Sequence, residues 1–286
     1  MWSQKQLRDE LRFITEFSSL LDVMQQVAVS QLRRTEETWA KQPSLTEVLV
    51  QEFFPLLPTA ALQDPLVRGG QRGRLLVVIT SDEGMVGPLH TAVIRQALER
   101  ADATTQWLLI GQRGARFLWD QIPSWRVVPA PPDDEAELTM QHLGHAILVQ
   151  YIREALRDVW VVAPRFLSTV RQDVVCHQVL PLPIQRPNAV EELTGLVVEP
   201  SIGRAVHVLA RMWLEHVCVE TFWSARRAEY ASRTLQVEVS RQELAKRAKG
   251  FRLSFFKTLH ERINVLVQET SVVQRAVARR SLRRVR

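Results

Sequence analysis

The chain has 286 residues, 37 Lys plus Arg against 31 Asp plus Glu, and a hydrophobic share of 46%, which describes an ordinary globular protein and excludes a disordered tail or a fibre. Its two cysteines, Cys176 and Cys218, are too few for a disulfide scaffold, a zinc ribbon or a CxxC redox pair and point to a reducing compartment. No uncharged apolar run approaches the roughly 20 residues of a membrane-spanning helix, and the mixed-charge start Met1–Glu10 does not read as a signal peptide, so the chain is expected to meet a membrane only through partners.

Helix breakers divide the chain. All 14 prolines lie between Pro43 and Pro200, and only two of the 11 glycines, Gly203 and Gly250, lie beyond Pro200. Proline costs about 3 kcal/mol inside a helix, so residues 1–42 and 201–286 can each be one continuous helix. The second would reach about 120 Å at the usual rise per residue, a rod rather than a globule. In the first stretch Ser3 is the predicted N-cap, and Leu7, Leu11, Ile14, Phe17, Leu21, Met24 and Val27 recur every three or four residues as one apolar stripe.

The middle alternates between strand and helix patterns. Arg74–Thr80 is a continuous apolar run suited to a central parallel strand. A helix is predicted over Leu89–Arg100, a strand over Trp107–Ile110, a helix over Arg113–Gln121 and a strand over Trp125–Val128. After a Pro129–Asp134 loop come a helix over Glu135–Arg157 and strands over Val159–Ala163 and Asp173–Leu180. This alternation predicts a small Rossmann-like α/β domain with right-handed crossovers and both sheet faces covered.

In the last stretch Ile202, Val206, Leu209, Trp213 and Val217 form one apolar stripe, and Phe251, Phe255, Leu259, Ile263, Leu266, Val273 and Val277 form another. Stripes this narrow need a partner helix, and two rods at opposite ends of a chain pair most simply as an antiparallel coiled coil. The C-terminal rod is about twice the longer, so part of it must find cover on another protein. The predicted divisions are an N-terminal helix and connection over 1–58, the α/β domain over 74–184, and a long C-terminal helix with a basic tail over 201–286. Net charge is +11 over 201–286, zero over 1–42 and −5 between, so an acidic partner would meet the rod.

Candidate chemistry is sparse. The loop after the first strand, Thr80-Ser81-Asp82-Glu83-Gly84-Met85-Val86-Gly87-Pro88, lacks any phosphate-loop pattern, and two carboxylates would repel a phosphate; it reads as a tight turn. Gly69–Gly73 reads as a flexible connection. The seven histidines contain no HExxH, and no GxSxG elbow exists. Neither a cofactor nor a metal nor a catalytic residue is expected. The run Arg275, Arg279, Arg280, Arg283, Arg284, Arg286 could neutralise phosphates, but without interleaved aromatics it reads first as a solvated helix end.

Four segments resemble the gamma subunit of rotary F-type ATP synthases. The family's AMKMVSASKMRRA pattern is matched at Met24, Val27, Ser30, Arg33 and Arg34; its SDRGLCGGLN is similar to Ser81–His90; its ENASRM to Glu229–Thr234; and its RQxxITQE to Arg262–Glu269. The order is right and the matches span nearly the whole chain. The resemblance implies a non-catalytic central-stalk rotor, turning inside a ring of three alpha and three beta subunits and joined below to an epsilon subunit and an ion-carrying c-ring. It implies ring contacts at Met24, Arg33, Arg34, Arg262, Gln268 and Glu269, and a structural turn at Ser81, Asp82, Gly84 and Gly87. It also implies a peripheral place on the cytoplasmic face of a bacterial inner membrane.

The departures are Glu83 for an Arg, Pro88 for a Gly, Ile263 and Val267 for a Gln and a Thr, and the basic extension past Ala278. Together they resemble the second, sodium-associated type that some bacteria carry beside their main enzyme. Two other classes remain open at this point: a nucleotide-dependent α/β enzyme with helical arms, and a coiled-coil nucleic-acid binder using the arginine tail.

Overall fold

A computed structural model describes residues 4–39, 44–118, 122, 125–184 and 198–283, with side chains described as far as residue 272. Ser3, Gln121, Arg284 and Arg286 lie outside these residues, as do the side chains of Val273, Val277 and the arginines from 275 onward. The chain forms two compact units: one holds Met1–Val27 and Val237–Arg286, the other Ala28–Gln236.

The larger unit is built on a five-stranded sheet ordered β3-β2-β1-β4-β5, with β1 Arg72–Ile79, β2 Thr105–Ile110, β3 Trp125–Val128, β4 Leu156–Phe166 and β5 Gln172–Leu180. The first four strands are parallel and β5 is antiparallel to β4. The alternation predicted from sequence therefore stops at β4, because the five residues before β5 are too few for a crossover, which needs a dozen or so, and permit only a hairpin. Leu75, Val77 and Ile79 of β1 face one layer and Leu76 and Val78 the other, the period-two consequence of a strand buried on both sides.

The second layer is α4 Leu89–Arg100 and α5 Gln112–Leu118, which seat Val93, Ile94, Ala97, Ala115 and Leu118 on the sheet. The first layer is α6 Ala136–Glu154 together with Val206, Ala210, Trp213, Leu214 and Val217 of α7, the helix Ile202–Arg283. α6 and α7 touch backbone to backbone: a Cβ on Gly144 would stand 2.7 Å from the Leu214 carbonyl. Arg74 holds Asp158 across β1 and β4 at 2.6 Å, and Arg157 adds a second contact at 3.0 Å.

One sequence expectation needs correction here. Gly69–Gly73 is not a loose connection: Gly70 and Arg72 donate backbone bonds to Leu156 and Ala155, and a Cβ on Gly70 would lie 2.2 Å from the Ala155 carbonyl. The glycines are needed for that close approach. The connection after α1 (Gln4–Trp39) is also structured, as α2 Leu45–Val48 running into further short helical turns, then α3 Pro65–Arg68. The α2 start is held by Glu220 of α7, which accepts from the Thr46 hydroxyl at 2.5 Å and from Ser44 at 3.0 Å, a carboxylate at a helix N-terminus.

In the smaller unit the N-terminal part of α1 lies against the C-terminal part of α7. Asp22 pairs with Arg241 at 2.8 Å and Gln25 accepts from and donates to Arg241 and Glu238. Both matches set residue i opposite residue 263 − i, which is an antiparallel register. The buried positions of α1 within this unit are Leu7, Ile14 and Leu21, a spacing of seven that belongs to an interlocked helix pair. Opposite them Val237 is buried and Arg241, Leu244, Ala248, Phe251, Phe255 and Leu259 are half-buried, four and three residues apart. The stripe predicted on α1 is thus partly displaced: Phe17 and Val27 are exposed, and with Phe13, Leu20 and Val23 they form a second apolar face, on which Phe13 and Phe17 stack at 5.8 Å.

Candidate partner-binding surfaces

In open α/β sheets ligands bind at the carboxyl ends of the strands, where the strand order reverses. Here the reversal falls between β1 and β4. Its crevice is bounded by Ile79, Thr80, Ser81, Pro164 and His90, and it is filled by Phe222, Ala225, Arg226 and Glu229 of α7, leaving a cavity of about 10 Å³. That is room for a single water. The helix itself thus stands where a nucleotide would have to enter.

Two loops grip α7 at this place. From the β1–α4 loop, Glu83 pairs with Arg233 at 2.9 Å, the Gly84 carbonyl accepts from Arg233, and the Val86 carbonyl accepts from the Ser232 hydroxyl at 2.8 Å. From the loop after β3, the Pro131 carbonyl accepts from Arg226 at 2.6 Å and Asp133 accepts from the Tyr230 hydroxyl at 2.9 Å. Between them, Glu229 holds both Arg226 and Arg233, at 3.2 and 2.5 Å. Arg233 and Glu229 are almost fully buried, whereas Glu83 is 70% exposed. A buried pair of this kind costs several kcal/mol when one partner is removed, because the other charge is left without compensation.

The four predicted turn residues lie in this loop. Ser81 donates to the Glu83 carbonyl at 2.9 Å. Asp82 accepts from the backbone of Gln112 at 2.6 Å and of Ala130 at 3.0 Å, so it joins the loop to the start of α5 and to the loop after β3. A Cβ on Gly84 would press on the Arg113 guanidinium at 2.9 Å, and Gly87 has φ +56° beside the Gln236 side chain. Met85 also lies in the left-handed region, at φ 61°. Glu83, read from sequence only as a charge reversal, has its answer in Arg233, 150 positions later. Nothing local signals that pairing.

The predicted ring-contact residues occupy both units. Met24 is half-buried and Arg262, Gln268 and Glu269 are exposed in the smaller unit, and Arg33 and Arg34 are exposed in the larger. In the register given by Asp22 and Arg241, Gln4 lies opposite position 259. Beyond it every residue from 261 to 270 is exposed, including Ile263, Leu266 and Val267 at 47, 55 and 61%. Among the described residues, cover for the α7 stripe does not reach this far. Among the described residues no three His, Cys, Asp or Glu side chains gather as for a metal ion, and burial pushes the Cys218 thiol up to about 12.

Comparison with known proteins settles what this arrangement belongs to. The family model described as ATP synthase matches residues 3–263. The chain belongs to the gamma subunits of F-type ATP synthases. It is similar to the ATP synthase gamma chain of Clostridium acetobutylicum, 23% identical over 236 residues that cover 79% of this chain and 81% of that one. The gamma chain of Opitutus terrae is 21% identical, with 97% and 100% covered. Among solved structures, a chain of the Euglena gracilis mitochondrial ATP synthase, described as OSCP/F1/c-ring in rotational state 3, aligns with a TM-score of 0.72 at 16% identity, covering 96% of this chain and 94% of that one. The gamma subunit is the central-stalk subunit of the peripheral sector and carries no catalysis itself. No described helix is long and apolar enough to cross a membrane.

Proposed function

We propose that this gamma subunit turns inside a ring of three alpha and three beta subunits and is joined at its α/β domain to an epsilon subunit and a c-ring. The observation that carries this is the apolar surface exposed among the described residues of the smaller unit: Phe13, Phe17, Leu20, Val23 and Val27 on α1, and Ile263, Leu266 and Val267 on α7. Apolar side chains in such number on paired helices mark a protein interface. The segments 1–58 and 201–286 then act as the shaft and 74–184 as the foot. Met24, Arg33 and Arg34 face the moving regions of beta or the neighbouring helix, and Arg262, Gln268 and Glu269 form the upper grip. Ser81, Asp82, Gly84 and Gly87 shape the turn that fastens the foot to α7.

Such a shaft works by presenting different faces to the three beta subunits, so that each feels a different interaction energy and shifts between conformations. Exposed ion pairs of about 0.2 to 1 kcal/mol register a position without locking the rotor there. The complex is placed on the cytoplasmic face of a bacterial membrane, and the departures at Glu83, Ile263 and Val267 favour the sodium-associated type; hydrolysis by the membrane-bound complex that did not respond to sodium would remove that assignment.

The test is reconstitution. Purified chain mixed with its cognate alpha and beta subunits is expected to give a hexamer-sized complex with one gamma copy and ATP hydrolysis that changes on Arg262→Ala. Failure to join a competent ring, measured by size-exclusion chromatography, overturns the reading.

A further inference from the structure

His90, the second residue of α4, stands where the gamma-subunit pattern SDRGLCGGLN has Asn. It is 6% exposed and lines the same small cavity as Arg226 and Glu229. Its Nε2 lies 3.0 Å from the Ser81 hydroxyl. Ser81 gives its one proton to the Glu83 carbonyl, so it can only accept from His90. Nε2 therefore carries a hydrogen, and Nδ1 is buried without a hydrogen-bond partner, a setting in which burial favours the neutral ring. A second proton would have to sit on Nδ1, where the packed structure offers it no acceptor.

We propose that His90 makes the grip of the β1–α4 loop on α7 sensitive to pH, with neutral His90 closing the grip and protonated His90 loosening it. The groups that face it come from each element around it: the Glu83 carbonyl on the loop, Arg113 on α5, and Arg226, Glu229 and Arg233 on α7. Arg113 and Arg233 oppose a further cation here, and Glu229 favours one. Burial lowers the pKa of His90, Arg113 and Arg233 lower it further, and Glu229 and the Glu83 carbonyl oppose them. Glu229 is the acceptor a protonated ring would turn to, and Glu229 already holds Arg226 and Arg233. Drawing it away releases Arg233, and with it the contacts to Glu83 and the Gly84 carbonyl.

The direction of linkage follows from the lowered pKa. Between the unfolded value of 6.5 and the lower folded value, the open loop binds more protons than the closed one, so closure is favoured as pH rises and lost as pH falls through that window. No partner protein is needed for the effect, so it stands apart from the rotor assignment.

The test uses the full-length chain. Hydrogen exchange, corrected for intrinsic rates, is read at the Leu89 and Ala92 amides, which bond to the Val86 and Pro88 carbonyls. From pH 7.5 to 5.5 the wild type is expected to lose protection, by up to about tenfold, the limit set by the unfolded value of 6.5, while His90→Asn loses little. His177, whose pKa burial also lowers, is present in both chains and cancels in the comparison. Equal loss in both chains, or no loss in either, overturns the proposal. Should His90→Asn not fold, the NMR titration of His90 in the wild type decides: a midpoint clearly below 6.5 supports the proposal, and one at or above 6.5 overturns it.

Discussion

Between Trp213 and Val237, α7 buries side chains on nearly every face, and even Glu229 and Arg233 are almost fully covered. From residue 261 to 270 the same helix has every side chain exposed, although four of those ten residues are Ile, Val or Leu. Both stretches carry apolar side chains, although only the first holds aromatics. What separates them is what stands opposite: two loops, α6 and the sheet in the first case, and, among the described residues, no side chain that buries the helix in the second. Cover, not apolarity, sets where this helix is worth stabilisation, and a stretch left uncovered is the one available to other subunits.

The strongest way to break the comparison is to empty the covered stretch. Phe222 is 2% exposed and packs at the β1–β4 crevice; Phe222→Ala is expected to cost about 3 to 5 kcal/mol in urea unfolding. A loss below about 1 kcal/mol would mean that this part of α7 is held by something other than its packing. Next is Arg233→Ala, which takes from the buried Glu229 the nearer of its two arginines and leaves only Arg226 at 3.2 Å; it is expected to cost about 3 kcal/mol. Glu83→Ala, removing the 70% exposed partner of the same arginine, should cost no more than about 1 kcal/mol. Equal losses in the two variants would show that Arg233 is not held by its buried partner.

Acid sharpens the contrast further. Burial resists ionisation of Asp158, but the Arg74 and Arg157 guanidiniums outweigh it and hold the carboxyl below the usual range. The resulting stability is present above the ordinary carboxylate value of 3.8 and is lost as pH falls through the lower folded value. Arg74→Met should flatten that part of the stability curve, measured by thermal unfolding from pH 5 to pH 2. The smallest effect is expected at the uncovered end: Ile263→Gln with Val267→Thr should change the stability of the isolated chain by less than about 0.5 kcal/mol. The same double variant is expected to alter assembly and ATP hydrolysis in the ring, and an effect on unfolding without one on assembly would reverse the contrast.

Much of the fold is legible in the sequence. Leu89–Arg100 and Trp125–Val128 have the predicted boundaries, the second, fourth and fifth strands are found with longer ends, and the first runs over Arg72–Ile79, starting two residues earlier and ending one earlier than predicted. The breaker-free last stretch is a helix over Ile202–Arg283. The fold class follows from the same local patterns, and the family from short ordered matches such as Ser81–His90 and Glu229–Thr234. The phase of the α1 stripe is less legible, because Phe17 and Val27 are as apolar as the buried Leu7, Ile14 and Leu21 and belong to a second face. His90 and Glu83 are visible in the sequence only as departures from a pattern. Their significance depends on Ser81, Glu229 and Arg233 being brought around them.

The sequence by itself determined where helices and strands run, since proline positions and apolar periods act over a few residues and need no distant contact. Only the tertiary structure decided which faces are covered, that α7 fills the crevice between β1 and β4, and that Glu83 answers Arg233. Those outcomes depend on groups up to 150 positions apart meeting at hydrogen-bond distance, and local periodicity carries no information about such meetings.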